Sequence, residues 1–182
     1  MEIFVYRDPS GREISDGSTD RLTERAYNQC FGERMPDILR ERGGKPYFAG
    51  SDVHFSVSHS GSIIAIAFSG SRVGIDIQKV TSNNIRGIAE RFFPECDLEY
   101  FSAHGDDSFF EIWTRKEAYI KMLGGSVFTG IRRYPVTDGE RFLDVIGRGR
   151  GKAYISEFSI GAGGVFCAAA GACETIGVSD LE

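Results

Sequence analysis

The stretch from Val53 to Ile77 constrains this chain most. Val53, Phe55 and Val57 alternate with His54, Ser56 and Ser58, a period of two that marks a half-buried strand. Gly61 interrupts it, Ile63 to Phe68 form a more buried run, Ser69-Gly70-Ser71 makes a tight turn, and Val73 to Ile77 supply a third strand. The three read as an antiparallel meander. Helical spacing then takes over. Ile85, Ile88, Ala89, Phe92 and Phe93 share one face of a helix opened by Ser82-Asn83-Asn84. Pro94 ends it and starts a short helix holding Leu98 and Phe101. Phe109, Ile112, Trp113, Lys116, Ile120 and Leu123 line a longer helix, capped by Asp106, Asp107 or Ser108 and stopped by Gly124-Gly125. The remainder is β-like at Tyr134 to Val136, Phe142 to Ile146, Ala153 to Ile160 and Gly164 to Ala170.

Ahead of the meander, Ile3 to Tyr6 reads as a strand. A helix capped by Ser18 or Thr19 runs to Phe31, where Gly32 ends it, and Gly43-Gly44-Lys45-Pro46 is a loop. Short strands and long helices thus occur on both sides of Ser71. The expected fold is α+β, in two similar halves, residues 1–71 and 72–182.

The chain has 182 residues, long enough to bury a sizeable core without disulfide or metal staples. Lys and Arg total 21 against 26 Asp and Glu, a net charge of −5 that argues against general nucleic-acid binding. Arg115, Lys116, Lys121, Arg132 and Arg133 nevertheless form a candidate basic patch. Cys30, Cys96, Cys167 and Cys173 make no CxxC pair, and His54, His59 and His104 are scattered, so a zinc site is not expected. Reduced thiols suit a cytoplasmic protein. The N-terminal residues contain no long apolar run, so neither a signal peptide nor a membrane anchor is expected.

Asp76 interrupts an apolar strand, where a lone carboxylate would be costly unless a metal or cation meets it. Gln78 projects from the same strand face, so both side chains can present oxygen to one ion; the simpler reading is a solvated cap at the strand end. Glu117 and Lys121 are four apart on one helix face, a spacing commonly found as a surface ion pair. Here Trp113 lies one turn earlier, so the pair borders an apolar face. At a groove edge, the Glu can hold a metal or accept a proton and the Lys can neutralise developing charge. Ser58-His59-Ser60 lacks the GxSxG elbow, and strand neighbours face opposite ways, which argues against a catalytic triad and leaves phosphate binding. Gly147-Arg148-Gly149-Arg150-Gly151-Lys152 fails the spacing of a phosphate loop and reads as a solvated basic turn.

Taken in order, GGKPYF (43–48), FSVSHS (55–60), VGIDIQ (73–78), RFFPE (91–95) and FFEIWTRKEAYIKMLGG (109–125) resemble the 4′-phosphopantetheinyl transferase superfamily, in its Sfp-type branch. The resemblance covers residues 43 to about 130. It implies two α+β halves around a pseudo-twofold axis, with the active site in the cleft between them. It also implies an enzyme that moves the phosphopantetheine arm of coenzyme A to a serine of an apo acyl or peptidyl carrier protein, releasing adenosine 3′,5′-bisphosphate. By position in the motifs, Asp76 and Glu117 are the Mg²⁺ ligands, with Mn²⁺ as a substitute metal. Lys121 contacts the coenzyme A phosphates, Ser58 and His59 bind phosphate, and Lys45 lies beside the nucleotide. Arg21 or Arg25 of the first helix joins the 3′-phosphate site.

One departure stands out: the family's usual Glu two residues after the motif Asp is Gln78 here. In the smaller trimeric branch a water fills that position, and Mg²⁺ commonly takes one or two carboxylates plus phosphates and waters. Catalysis would then rest on Glu117 as base, Asp76 as metal ligand and Lys121 as charge stabiliser. The partner is expected to be an acidic carrier domain; Arg132 and Arg133 either face it or are simple surface charge, and a monomer is expected. The competing class, favoured by Gln78 alone, is a catalytically impaired coenzyme A-binding regulatory module.

Overall fold

The computed structural model describes residues 1–81, 84–126, 130–161 and 163–181. In chain order, β1 (Glu2–Arg7) precedes α1 (Asp16–Phe31), the hairpin β2 (Ile38–Arg40) and β3 (Pro46–Phe48), then β4 (His54–Ser60), β5 (Ile63–Ser69) and β6 (Gly74–Lys79). Helices α2 (Ile85–Phe92), α3 (Glu95–His104) and α4 (Asp106–Leu123) follow, then β7 (Val145–Ile146), β8 (Ala153–Glu157), β9 (Val165–Gly171) and β10 (Gly177–Asp180). The fold is α+β, as expected. Its strands form two four-stranded sheets, ordered β10-β1-β5-β4 and β6-β9-β8-β7, beside the β2-β3 hairpin.

Neighbouring strands are antiparallel except β1 and β10, which run parallel, so residues 177–180 return to the sheet built from the N-terminal strands. The alternation of β5 shows how the layers stack. Ile64, Ile66 and Phe68 pack with Ala26 and Tyr27 of α1, whereas Ala65 and Ala67 join Ile75 and Ile77 of β6 and Ala169 of β9. Successive strand side chains point to opposite faces, so β5 is buried on both. On β9 the same rule sends Ala168 and Ala170 to α4. The small alanines let backbones approach, and at Gly74 the approach is closest: a Cβ there would stand 2.0 Å from Ala118 O.

The expected meander is corrected. β4 and β5 form its first pair, but β6 pairs with β9 in the other sheet. Side chains join β4 to β6 instead of a backbone ladder. Ile75 N donates to Ser56 Oγ at 3.1 Å, Ile77 N to Ser58 Oγ at 3.2 Å and Lys79 N to Ser60 Oγ at 3.0 Å. Alternate serines on β4 therefore meet alternate N–H groups on β6, which satisfies donors that β9 does not reach.

Other elements shift in smaller ways. Helix α1 begins at Asp16 with Ser15 as its N-cap, ahead of the expected Ser18 or Thr19, and ends at Gly32 with φ 69° as expected. Of the expected opening Ser82-Asn83-Asn84, only Asn84 lies among the described residues; its side chain accepts from Gly87 N at 3.1 Å and caps α2. Gly105 caps α4 in place of Asp106, Asp107 or Ser108. Tyr134 to Val136 is not a strand, because a buried ion pair takes its backbone groups. Lys116 Nζ, paired with Asp97 at 2.5 Å, donates to Ile131 O at 3.0 Å and Tyr134 O at 2.6 Å. Asp97 Oδ1 accepts from Val136 N and Thr137 N at 3.0 and 2.8 Å.

That pair also dismantles the expected basic patch, since Lys116 is 0% exposed. Arg115 is buried too, with Nη2 2.6 Å from Glu157 and its guanidinium over the Phe142 ring. Of that patch, Arg132 and Arg133 remain exposed. Among the described residues, no helix is long and apolar enough to cross a membrane.

Candidate active site

The edges of β4 and β6, the outer turns of α4, one face of α1 and the turn before β3 enclose a cavity of about 520 Å³. Asp76 stands in its wall on β6, 3% exposed. Its neighbours explain how a carboxylate persists there. Asp76 Oδ1 accepts from Ser58 Oγ at 2.7 Å and from Lys121 Nζ at 2.7 Å, while its Oδ2 accepts no hydrogen bond among the described residues. Lys121 Nζ also donates to Ser58 Oγ at 3.0 Å and lies 3.9 Å from Glu117 Oε2, one helical turn away.

Burial pushes the Glu117 carboxyl up to about 7, and the charge of nearby Asp76 pushes it in the same direction; Lys121 and hydrogen bonding by Trp113 oppose them. Two carboxylates thus face one ammonium. Two buried carboxyls within hydrogen-bonding reach of each other, one with its ionisation disfavoured by burial and by its neighbour, are what a divalent cation would resolve. The donors are hard oxygens, the class that suits Mg²⁺. Asp76 and Glu117 fit such an ion. No group of three or more His, Cys, Asp and Glu side chains arranged to hold a metal occurs among the described residues.

The remaining expected residues divide by position. Ser58, His59, Gln78 and Lys45 all line the cavity. His59 is exposed and Ser58 buried, as neighbours on one strand should be. Gln78 Nε2 donates to Lys79 O at 3.0 Å. The Lys45 ammonium donates to two backbone carbonyls, and burial, helped by Arg72, lowers its pKa to about 8.

Arg21 is exposed and does not line the cavity, and neither does Arg25. Thr19, Asp20 and Thr23 line it from the same helix. At about 100° per residue these three share a face, and positions 21 and 25 fall on the far side. Sequence reasoning missed Arg40, a cavity-lining residue whose Nη1 donates to Gly44 O at 3.1 Å. Its signal was a cation just ahead of the Gly43-Gly44 turn. Of the GRGRGK segment, Gly147, Arg148, Gly149, Gly151 and Lys152 do not line the cavity.

Residues 72–165, half of the chain, match the family model described as "4′-phosphopantetheinyl transferase superfamily". The 4′-phosphopantetheinyl transferase gsp of Aneurinibacillus migulanus is 39% identical over 95 residues, covering 50% of this chain and 39% of the relative. The 4′-phosphopantetheinyl transferase ffp of Bacillus subtilis is 38% identical over 128 residues, 66% of this chain and 55% of the relative. The 4′-phosphopantetheinyl transferase Sfp of Bacillus subtilis strain 168 is 36% identical over 77 residues, 40% of this chain and 34% of the relative. The chain therefore spans between 34% and 55% of these relatives' lengths.

Proposed function

Because the chain belongs to the 4′-phosphopantetheinyl transferase superfamily, we propose that it moves the phosphopantetheine arm of coenzyme A onto a serine of an apo carrier protein, with Mg²⁺ held by Asp76 and Glu117. The observation that carries this reading is the meeting of Asp76, Glu117 and Lys121 at one cavity wall, where two carboxyls share one ammonium.

Glu117 accepts the proton of the carrier serine, directly or through a water. The serine oxygen attacks the β-phosphorus of coenzyme A, forming one P–O bond as the bond to the bridging oxygen breaks. Adenosine 3′,5′-bisphosphate leaves, and Lys121 stabilises the charge that develops on it. A Mg²⁺ ion held by Asp76 and Glu117 would supply Lewis-acid stabilisation of the phosphoryl oxygens. Ser58 and Lys121 fix the Asp76 side chain in place for the metal. His59 and Arg40 provide the phosphate-facing edge, and the stem of Lys45 borders the nucleotide. Most of the rate comes from position and electrostatics, as in phosphoryl transfer generally.

The two sheets are read as the cores of two related halves, divided between β5 and β6 near Ser71, with the cavity as the cleft between them and β10 returning to the first. The carrier is an acidic domain, and exposed Arg132 and Arg133 are its docking cations. Gln78, in the place of the family's usual Glu, supports one other reading, a coenzyme A-binding module with impaired transfer.

One assay decides between them: incubation with coenzyme A, Mg²⁺ and a panel of apo carriers, followed by intact mass. A gain of one phosphopantetheine is expected. Coenzyme A binding with no gain on any carrier would favour the module.

A further inference from the structure

The last carbonyls of a helix have no partner within it. At the end of α4 two outside cations take them. Lys45 Nζ donates to Lys121 O and to Val73 O, both at 2.8 Å. Arg72 donates through Nε to Met122 O at 3.1 Å and through Nη2 to Leu123 O at 3.3 Å. Each cation meets the negative end of the helix dipole. Arg72 also grips Glu41 with both arms of its fork, at 2.9 and 3.0 Å.

Glu41 and Lys45 are the two ends of one tight turn, closed by Glu41 N to Lys45 O and Gly44 N to Glu41 O, both at 2.8 Å. The turn is pressed against the helix end, where a Cβ on Gly43 would stand 2.3 Å from Gly124 O. Val73 lies just ahead of β6, which carries Asp76, and Lys121 belongs to the helix that carries Glu117. Lys45 and Arg72 therefore hold the strand with one carboxylate and the helix with the other.

We propose that Lys45 and Arg72 are positioning residues, a clamp that sets the spacing of Asp76 from Glu117 and Lys121. The Lys45 ammonium acts on backbone carbonyls and not on the nucleotide. The effect on turnover rests on the transferase reading; the effect on the helix end does not.

Lys45→Met keeps the length of the stem and removes the ammonium. The expected result is a kcat for carrier modification lowered by roughly 10- to 100-fold, since small displacements at a reacting centre cost that much. The KM for coenzyme A should stay within about twofold, because the nucleotide loses no contact. Arg72→Lys, which keeps the charge and loses the fork, should act in the same direction, and the double variant should lose less than the product of the two single losses. Amide exchange at Gly124 and Gly125 should quicken in each variant.

A KM raised tenfold or more with kcat unchanged would make the ammonium a nucleotide ligand and overturn the proposal. Unchanged kcat together with unchanged exchange would overturn it equally. If Lys45→Met fails to fold, Arg72→Lys carries the same test. If the wild-type protein modifies no carrier, the transferase reading fails alone. The clamp then stands or falls on exchange at Gly124 and Gly125 and on calorimetric coenzyme A affinity, expected to be faster and unchanged respectively.

Discussion

Lys121 Nζ lies 2.7 Å from Asp76 Oδ1, so the last turn of α4 and the middle of β6 meet as an ion pair at the cavity wall. The ammonium is the protein's own counter-charge for Asp76. Lys121→Ala removes it and should lower kcat by about 10²-fold or more, as loss of one electrostatic donor does. It should also destabilise the metal-free protein, because Asp76 is left buried and unpaired. Urea denaturation with and without Mg²⁺ checks the second effect: the ion should recover part of the lost stability, being another cation for the same oxygens.

The metal ranking follows from charge. Asp76→Asn and Glu117→Gln each remove one of two anionic ligands and should lower transfer by roughly 10³-fold, several kcal/mol of barrier. Gln78→Ala should change the rate by less than about threefold, since a water can replace a neutral amide. Gln78→Glu should tighten metal binding. Rate against Mg²⁺ concentration for the four variants measures all of this, and a Gln78→Ala protein as inactive as Asp76→Asn would make Gln78 a ligand.

Glu117 gives a pH dependence whose sign is fixed. Its folded pKa, raised from the ordinary 4.5 to about 7, means that the folded protein holds this proton more tightly than the unfolded chain. Its contribution to stability is complete below the ordinary value and is lost as pH rises through the folded value. Metal-free protein should therefore lose stability from this group between about pH 4.5 and 7. Glu117→Gln should flatten that slope. Chemical denaturation of both proteins at several pH values, each compared with the other at the same pH, isolates the group from every other titration.

Gly74 tests the packing that brings the two carboxylates together. Alanine there would put Cβ 2.0 Å from Ala118 O and 2.4 Å from Met122 N, both backbone atoms of α4. The helix must move away from the strand, at a cost of about 1–3 kcal/mol for overpacking. Transfer should fall further than stability alone explains, because the displacement separates Asp76 from Glu117. Melting curves for Gly74→Ala, together with its kcat measured well below the variant's melting temperature, check this.

His59 should sense the nucleotide end of the substrate. If it meets the 3′-phosphate, His59→Ala weakens binding of coenzyme A by about tenfold, the worth of one charged hydrogen bond, and leaves 3′-dephospho-coenzyme A almost unchanged. Calorimetry with both ligands checks it. Equal loss for both would place the imidazole away from that phosphate.

Much of the candidate site was legible because its residues break local patterns. Asp76 is polar within an apolar strand, and Glu117 and Lys121 sit one turn apart beside an apolar face. Such breaks survive small errors in element boundaries. Arg21 was not legible, because its side of α1 depends on helix phase, and the residues facing the cavity are Thr19, Asp20 and Thr23. Lys116 looked like part of a basic surface and is instead buried against Asp97. Nothing local links those two positions; only the packing of α3 on α4 brings them together. The serines of β4 were read correctly as alternating with apolar residues. Their partners lie on a strand that does not pair with β4, and no periodicity encodes that.

That seam of Ser56, Ser58 and Ser60 has a consequence for the solubility of the protein. β4 is the last strand of one sheet and β6 the last of the other, and an unpaired row of strand N–H groups invites a strand from another molecule. Here each such edge faces the other, and three hydroxyls occupy the donors of Ile75, Ile77 and Lys79. Converting Ser56 and Ser60 to alanine would keep the shape of the seam and free two of those donors. The resulting protein should self-associate through β6 on standing or mild heating, at concentrations where the wild type stays dispersed.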